Sequence, residues 1–182
     1  FFLLRVGTLH NTYSQNFSKR KVNNLKSHAA KLVEEDKKMT QVMIDKVFSF
    51  GELGFQEFET SKYLSNILEE NGFELQYNIS DIPTSWLAKW SNGSGGPVIA
   101  LGSDFDGVPS TSQYPGVAYE KPVVEGAPGH GEGHNIGLPI VITAALSIKK
   151  VMIENNINGT LLLWPGVAEE ILGSKAWYVR DG

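Results

Sequence analysis

Two short stretches of this chain hold residue types that can do chemistry together. Gly129-His130-Gly131-Glu132-Gly133-His134-Asn135 sets a carboxylate and an imidazole two positions apart on a glycine-rich turn, and Ala168-Glu169-Glu170 places adjacent carboxylates after an apolar run. Neutral imidazole and carboxylate oxygens suit zinc and other divalent ions. A further carboxylate that leaves the ion alone can act as a general base in a hydrolysis.

Each motif also has an ordinary reading. Glu132 and Asn135 can simply open a helix, one favouring its positive end and the other capping it. His130 reads better as a loop histidine beside the site than as a ligand. Glu169 and Glu170 repel each other and need a cation or donors between them, yet a solvated acidic helix start also accommodates such a pair. Ser103-Asp104-Phe105-Asp106-Gly107-Val108-Pro109 carries carboxylates at alternate positions, which a strand would turn to one face. One of them can orient a ligand imidazole through its second ring nitrogen; an Asx-type turn before Pro109 is the alternative.

These residues need elements to position them. Residues 16–39, rich in Lys, Asn and Glu, predict one exposed helix, and Thr40 caps a second through Val42, Met43, Ile44, Val47 and Phe48 to Gly51. Tyr63, Leu64, Ile67 and Leu68 recur at helical spacing ahead of Gly72. Phe73–Tyr77 and Ser85–Trp90 alternate as strands do, and Ser91-Asn92-Gly93-Ser94-Gly95-Gly96 is a turn. Val98-Ile99-Ala100-Leu101 reads as a strand buried on both faces. A helix over 138–155, a buried strand Thr160–Trp164 and a helix Ser174–Arg180 complete the order, which argues for an α/β sandwich with a mixed or parallel sheet. Ligands gather at the carboxyl ends of strands in such sheets. Asp104 and Asp106, Glu169 and Glu170, and the turn of Glu132 and His134 all fall at such ends.

At 182 residues, with 41% hydrophobic and 20% charged, the chain has material for one ordinary globular domain. A net charge of −4 with no basic block gives nucleic-acid binding no support. With no cysteine, any metal must be held by His and carboxylate. No uninterrupted apolar run approaches the roughly 20 residues that cross a bilayer. Residues 1–15, opening Phe1-Phe2-Leu3-Leu4, read either as a signal remnant or as a disordered leader, so cytoplasmic and periplasmic or secreted locations stay open. Asn16, Asn78, Asn92 and Asn158 begin Asn-x-Ser/Thr triplets, a pattern short enough to arise by chance. Signatures of serine hydrolases, P-loop proteins, dinucleotide-binding turns and His-Glu-x-x-His peptidases do not occur.

Taken together, four motifs in order resemble the aminoacylase/carboxypeptidase-type zinc metallopeptidase family, in its amidohydrolase branch. They are Gly51-Glu52-Leu53-Gly54-Phe55-Gln56-Glu57 with the helix at Thr60-Ser61, Asp104 to Pro109, Val123 to Asn135, and Trp164-Pro165-Gly166-Val167-Ala168-Glu169-Glu170. The resemblance spans roughly residues 40–182. It implies a zinc-peptidase-like three-layer sandwich with a mixed sheet, of which residues 16–182 would be the N-terminal portion, with the inserted lid domain and further ligands beyond them. It also implies hydrolysis of an amide between an acyl or aryl group and an amino acid, of the aminobenzoyl-glutamate kind. Carried over by position, His134, Glu170 and Glu132 would be metal ligands, Glu169 the general base and Asp106 a supporting carboxylate. Glu132 departs from the branch, which commonly has Cys there, whereas the wider family has a bridging carboxylate. Asp104 stands where the wider family has a ligand His. The implied cofactor is one or two divalent ions of zinc, manganese or cobalt; the implied partners are a small-molecule amide and a second copy through the lid, with no nucleic acid or membrane. A metallo-exopeptidase and a non-catalytic domain retaining the fold are the alternatives.

Overall fold

The computed structural model describes residues 17–182. The leader over residues 1–15 and the triplet at Asn16 lie outside or at the edge of that range. Ser18 accepts a hydrogen bond from the Lys21 amide and opens α1 (Lys19–Glu35); the chain then breaks at Asp36 and continues as α2 (Lys37–Phe50), which Gly51 ends in the left-handed conformation. This corrects the expected division at Thr40. That residue lies inside α2, where its hydroxyl bonds to the Asp36 carbonyl and to the Thr143 hydroxyl, so a side chain suited to capping instead docks one helix on another.

α3 (Phe58–Glu70) leads to β1 (Glu74–Tyr77), β2 (Trp86–Asn92) and β3 (Val98–Asp104). After a long loop come α4 (His134–Glu154), β4 (Gly159–Gly166) and α5 (Ser174–Asp181). The sheet order is β1-β2-β4-β3, so the last strand in sequence lies between two earlier ones. β4 runs antiparallel to β2 and parallel to β3, which makes the sheet mixed, as expected.

Strand periodicity divides β4 between the two faces. Leu161 and Leu163 join Trp86 and Ala88 in a core covered by Met43 and Val47 of α2, Leu64 and Leu68 of α3, and Leu138, Ile142 and Ala145 of α4. Trp164 points to the opposite face, where its ring lies over Gly102 and meets Tyr178 of α5 edge-on at 6.0 Å. β3 is not buried on both faces. Among the described strands it is an edge, with Val98 64% and Ile99 48% exposed.

α4 begins at His134, four residues before the first residue expected to be helical. Taken whole it is 21 residues long and apolar enough to meet the length and composition of a membrane span, contrary to the reading from uninterrupted runs. Its packing accounts for part of that composition: it contacts β3 and β4 as well as α1 and α2, while Ile136, Ile140 and Ile153 stay exposed.

Candidate metal centre

The parallel pair β3 and β4 brings two carboxyl ends to one rim, with Asp104 opposite Gly166. The first turn of α4 rests on that rim. A Cβ on Gly137 would meet the Ser103 Oγ at 2.0 Å and the Ser103 Cβ at 2.9 Å, so glycine allows this approach without displacing Ser103. Gly133, at φ 82°, turns the chain into α4 and sets His134 at the first helical position. Backbone bonds tie three of the four sequence motifs together, and the β3–β4 pairing adds the fourth: the Gly107 amide donates to the Glu52 carbonyl at 2.7 Å, and Val108 and Gly129 exchange bonds at 2.8 and 3.1 Å.

Glu132, His134, Glu169 and Glu170 thereby come together, with one ligand-capable atom from each lying within 4.8 Å of the others. Their acceptors are arranged for an ion. His134 Nδ1 lies 3.1 Å from the Asp106 backbone carbonyl, which can only accept, so that nitrogen carries the proton. In the neutral ring Nε2 then keeps its lone pair, and it lies 3.9 Å from Glu169 Oε2. Glu170 Oε1 is buried, 3.7 Å from His134 Nδ1, and has no hydrogen-bond partner. Burial raises the Glu170 pKa above the usual carboxylate value; Glu132, Asp106 and Glu169 add to the rise and His134 opposes it. A divalent cation would answer the unpaired oxygen and the repulsion together. The donor set therefore fits such an ion.

Asp106 is fully buried beneath this group. Its Oδ1 lies 3.3 Å from His134 Nδ1, and its Oδ2 accepts from the Glu170 amide at 3.0 Å. Asp104 goes elsewhere, pairing with Lys175 Nζ at 2.8 Å. The expectation that both aspartates share one face fails because β3 ends at Asp104 and strand alternation ends with it. His130 also lies outside the group. Its Nε2 donates to the Val47 carbonyl at 3.1 Å, and burial lowers its pKa.

Two features were not singled out from the sequence. Ala168, directly before the carboxylate pair, adopts the left-handed conformation at φ 53° and ψ 43°, which costs an L-residue about 1–2 kcal/mol. Glu57 is completely buried and accepts bonds from the Ala168 amide and the Thr84 hydroxyl, each at 2.9 Å. In the sequence it stands only as the last residue of the Gly51–Glu57 motif, with no role of its own, and its burial and partners belong to the tertiary structure. Burial raises the Glu57 pKa, against the lowering effect of these bonds. Its contribution to stability is thus fully present below the unfolded carboxyl pKa and is lost as pH rises through the higher folded value. Thermal melts across this window should show the parent losing stability relative to Glu57→Gln as pH rises. A melting difference that does not change with pH would contradict the raised value.

No family model matches the chain. It is 32% identical over 150 residues to a p-aminobenzoyl-glutamate hydrolase subunit of Escherichia coli K12, a match covering 82% of this chain and 31% of that protein. It is 32% identical over 133 residues to hippurate hydrolase of Campylobacter jejuni, covering 72% of this chain and 32% of that one. The chain thus spans about a third of the length of these curated relatives. Among solved structures, the Bacillus subtilis protein YxeP, described as a dinuclear metal-binding peptidase of the M20 family, superposes with TM-score 0.59 at 24% identity, covering 86% of this chain and 40% of that one. A Staphylococcus aureus protein described as an aminohydrolase gives TM-score 0.63 at 21% identity, covering 91% and 39%.

The fold is therefore that of an M20 peptidase domain, in which the described residues form part of a mixed α/β sheet. The chain itself is a homologue of the amidohydrolases named above, and the resemblance read from its four motifs holds.

Proposed function

We propose that this chain is part of the catalytic domain of a metal-dependent amidohydrolase that cleaves the amide between an acyl or aryl group and an amino acid. The observation that carries this reading is the convergence of Glu132, His134, Glu169 and Glu170 in a homologue of two hydrolases. Glu132, His134 through Nε2, and Glu170 would hold the ion. Oxygen donors in the majority make manganese or cobalt as suitable as zinc. A bound divalent ion supplies Lewis-acid polarisation of the amide carbonyl and makes water more acidic.

The protein side chains do the rest. Glu169, partly open to solvent, takes a proton from the attacking water and delivers it to the departing amine, so acid and amine are the products. Asp106 keeps the His134 ring oriented through its backbone carbonyl and the Glu170 amide in place through its carboxylate. The partners in this reading are a small amide and a second copy through a separate lid domain, with no nucleic acid or membrane.

The test is metal per chain by elemental analysis after incubation with zinc, manganese or cobalt, followed by assay of aminobenzoyl-glutamate, hippurate and unblocked dipeptides. One to two ions and turnover of the aryl amides are expected. Preference for dipeptides would favour an exopeptidase, and no stoichiometric metal would favour a binding domain that retains the fold.

A further inference from the structure

The two central carboxylates emerge from a backbone turn that its own sequence does not favour. Alanine at φ 53° needs its surroundings to hold it there. The turn closes on itself through the Gly173 amide to the Ala168 carbonyl at 2.9 Å and the Ser174 amide to the Val167 carbonyl at 3.2 Å. These bonds would close the loop without fixing where its front edge points. The amides of Ala168 and Glu170 face inward, and a buried carboxylate receives each: Glu57 Oε1 at 2.9 Å and Asp106 Oδ2 at 3.0 Å. Asp106 already belongs to the site through His134. Glu57 is not one of the four converging residues and no part of the proposed reaction assigns it a task, yet it is 0% exposed.

The support behind Glu57 is built as firmly as its contact with the turn. Its second oxygen accepts from Thr84, 1% exposed, and the Thr84 carbonyl in turn accepts from the Ser61 hydroxyl at 2.8 Å. Its backbone opens α3, where the Ser61 amide donates to the Glu57 carbonyl at 2.9 Å. The Ala168 methyl sits between Gly54 and Gly173, where a Cβ on either glycine would come within 3.0 Å of it. The turn is thus clamped to the start of α3, an element that contributes nothing else to the site.

We propose that Glu57 is the positioning residue of the Glu169–Glu170 pair: its buried carboxylate grips the Ala168 amide and holds the left-handed turn from which both carboxylates reach the site. The consequence for metal binding rests on the function proposed above; the clamp itself rests on geometry alone. What the turn requires is an acceptor at Oε1. Glutamine supplies one, and its amide can donate to Thr84 in place of the present bond. Alanine supplies none. Glycine at position 168 adopts the left-handed conformation unaided, so Ala168→Gly should relieve the requirement for Glu57.

The experiment compares the parent, Glu57→Gln, Glu57→Ala, Glu57→Ala/Ala168→Gly and the core variant Leu68→Ala by two readouts. The first is zinc and manganese affinity by calorimetry, and the second is amide hydrogen exchange at Ala168, Gly173 and Ser174. Glu57→Ala should weaken metal binding about tenfold or more, in the range seen when an outer partner of a metal site is removed, and speed exchange in the turn at least comparably. Glu57→Gln should stay within about twofold of the parent, and the double variant should recover most of the loss. Leu68→Ala, which breaks the core away from the turn, should leave both readouts near the parent's.

Parent-like metal binding and exchange in Glu57→Ala would overturn the proposal, as would equal losses in Leu68→Ala. If Glu57→Ala does not fold, failure of Ala168→Gly to restore it would overturn the proposal too. A parent that binds no metal would remove the proposed function, while the exchange readout would still decide the clamp.

Discussion

Glu169→Gln is expected to lower amide turnover by about 100- to 10,000-fold, the usual contribution of a general acid–base group, while metal per chain is unchanged. Glu169 is the member of the group best placed for this. It is partly exposed, its Oε2 is 3.9 Å from His134 Nε2, and neither Glu57 nor Asp106 engages its backbone amide. Glutamine keeps the shape and length of the side chain but cannot take a proton from water. Kinetics and elemental analysis on the same sample separate the two roles. Turnover that survives would move the base elsewhere, and loss of metal with turnover would make Glu169 a ligand.

Glu132→Ala is expected to weaken metal binding by about 100-fold or more, beyond the effect of losing an outer partner, with little change in melting temperature of the metal-free protein. The fold should tolerate the change because Glu132 is exposed and precedes α4 without burying its side chain. Glu132→Cys adds a second arm. A thiolate is a softer donor, so this variant should favour zinc over manganese relative to the parent. Calorimetry with each ion measures both changes. Unaltered affinity in the alanine variant would remove Glu132 from the ligand set and leave the site to His134, Glu169 and Glu170.

Much of the scaffold was legible because periodicity reports burial. Tyr63, Leu64, Ile67 and Leu68 mark the inner side of α3, and α5 lies where its pattern put it. The errors have a common source in information that belongs to neighbours. Val98-Ile99-Ala100-Leu101 looked like an inner strand because an apolar run does not say how many strands flank it. Thr40 looked like a cap because nothing local reveals Thr143 across the helix interface. The candidate site followed the same rule. Glu132, His134, Glu169 and Glu170 could be picked out from residue type and glycine spacing. Asp104 and Asp106 were separated by a strand end that spacing could not locate, and Glu57 acquires its surroundings only when α3 meets the turn after β4.

The strand order also has a consequence for synthesis. A ribosome makes β1, β2 and β3 first, and β2 and β3 cannot pair with each other because β4 belongs between them. Until residues 159–166 emerge, β3 lacks the strand it pairs with, and its Val98 and Ile99 are largely exposed even in the finished fold. Long-range pairing of this kind is slow and leaves strand edges uncovered while it waits. The chaperone requirement should therefore be greatest for chains stalled before Gly159, and Glu169 and Glu170 emerge just after the strand that ends that interval.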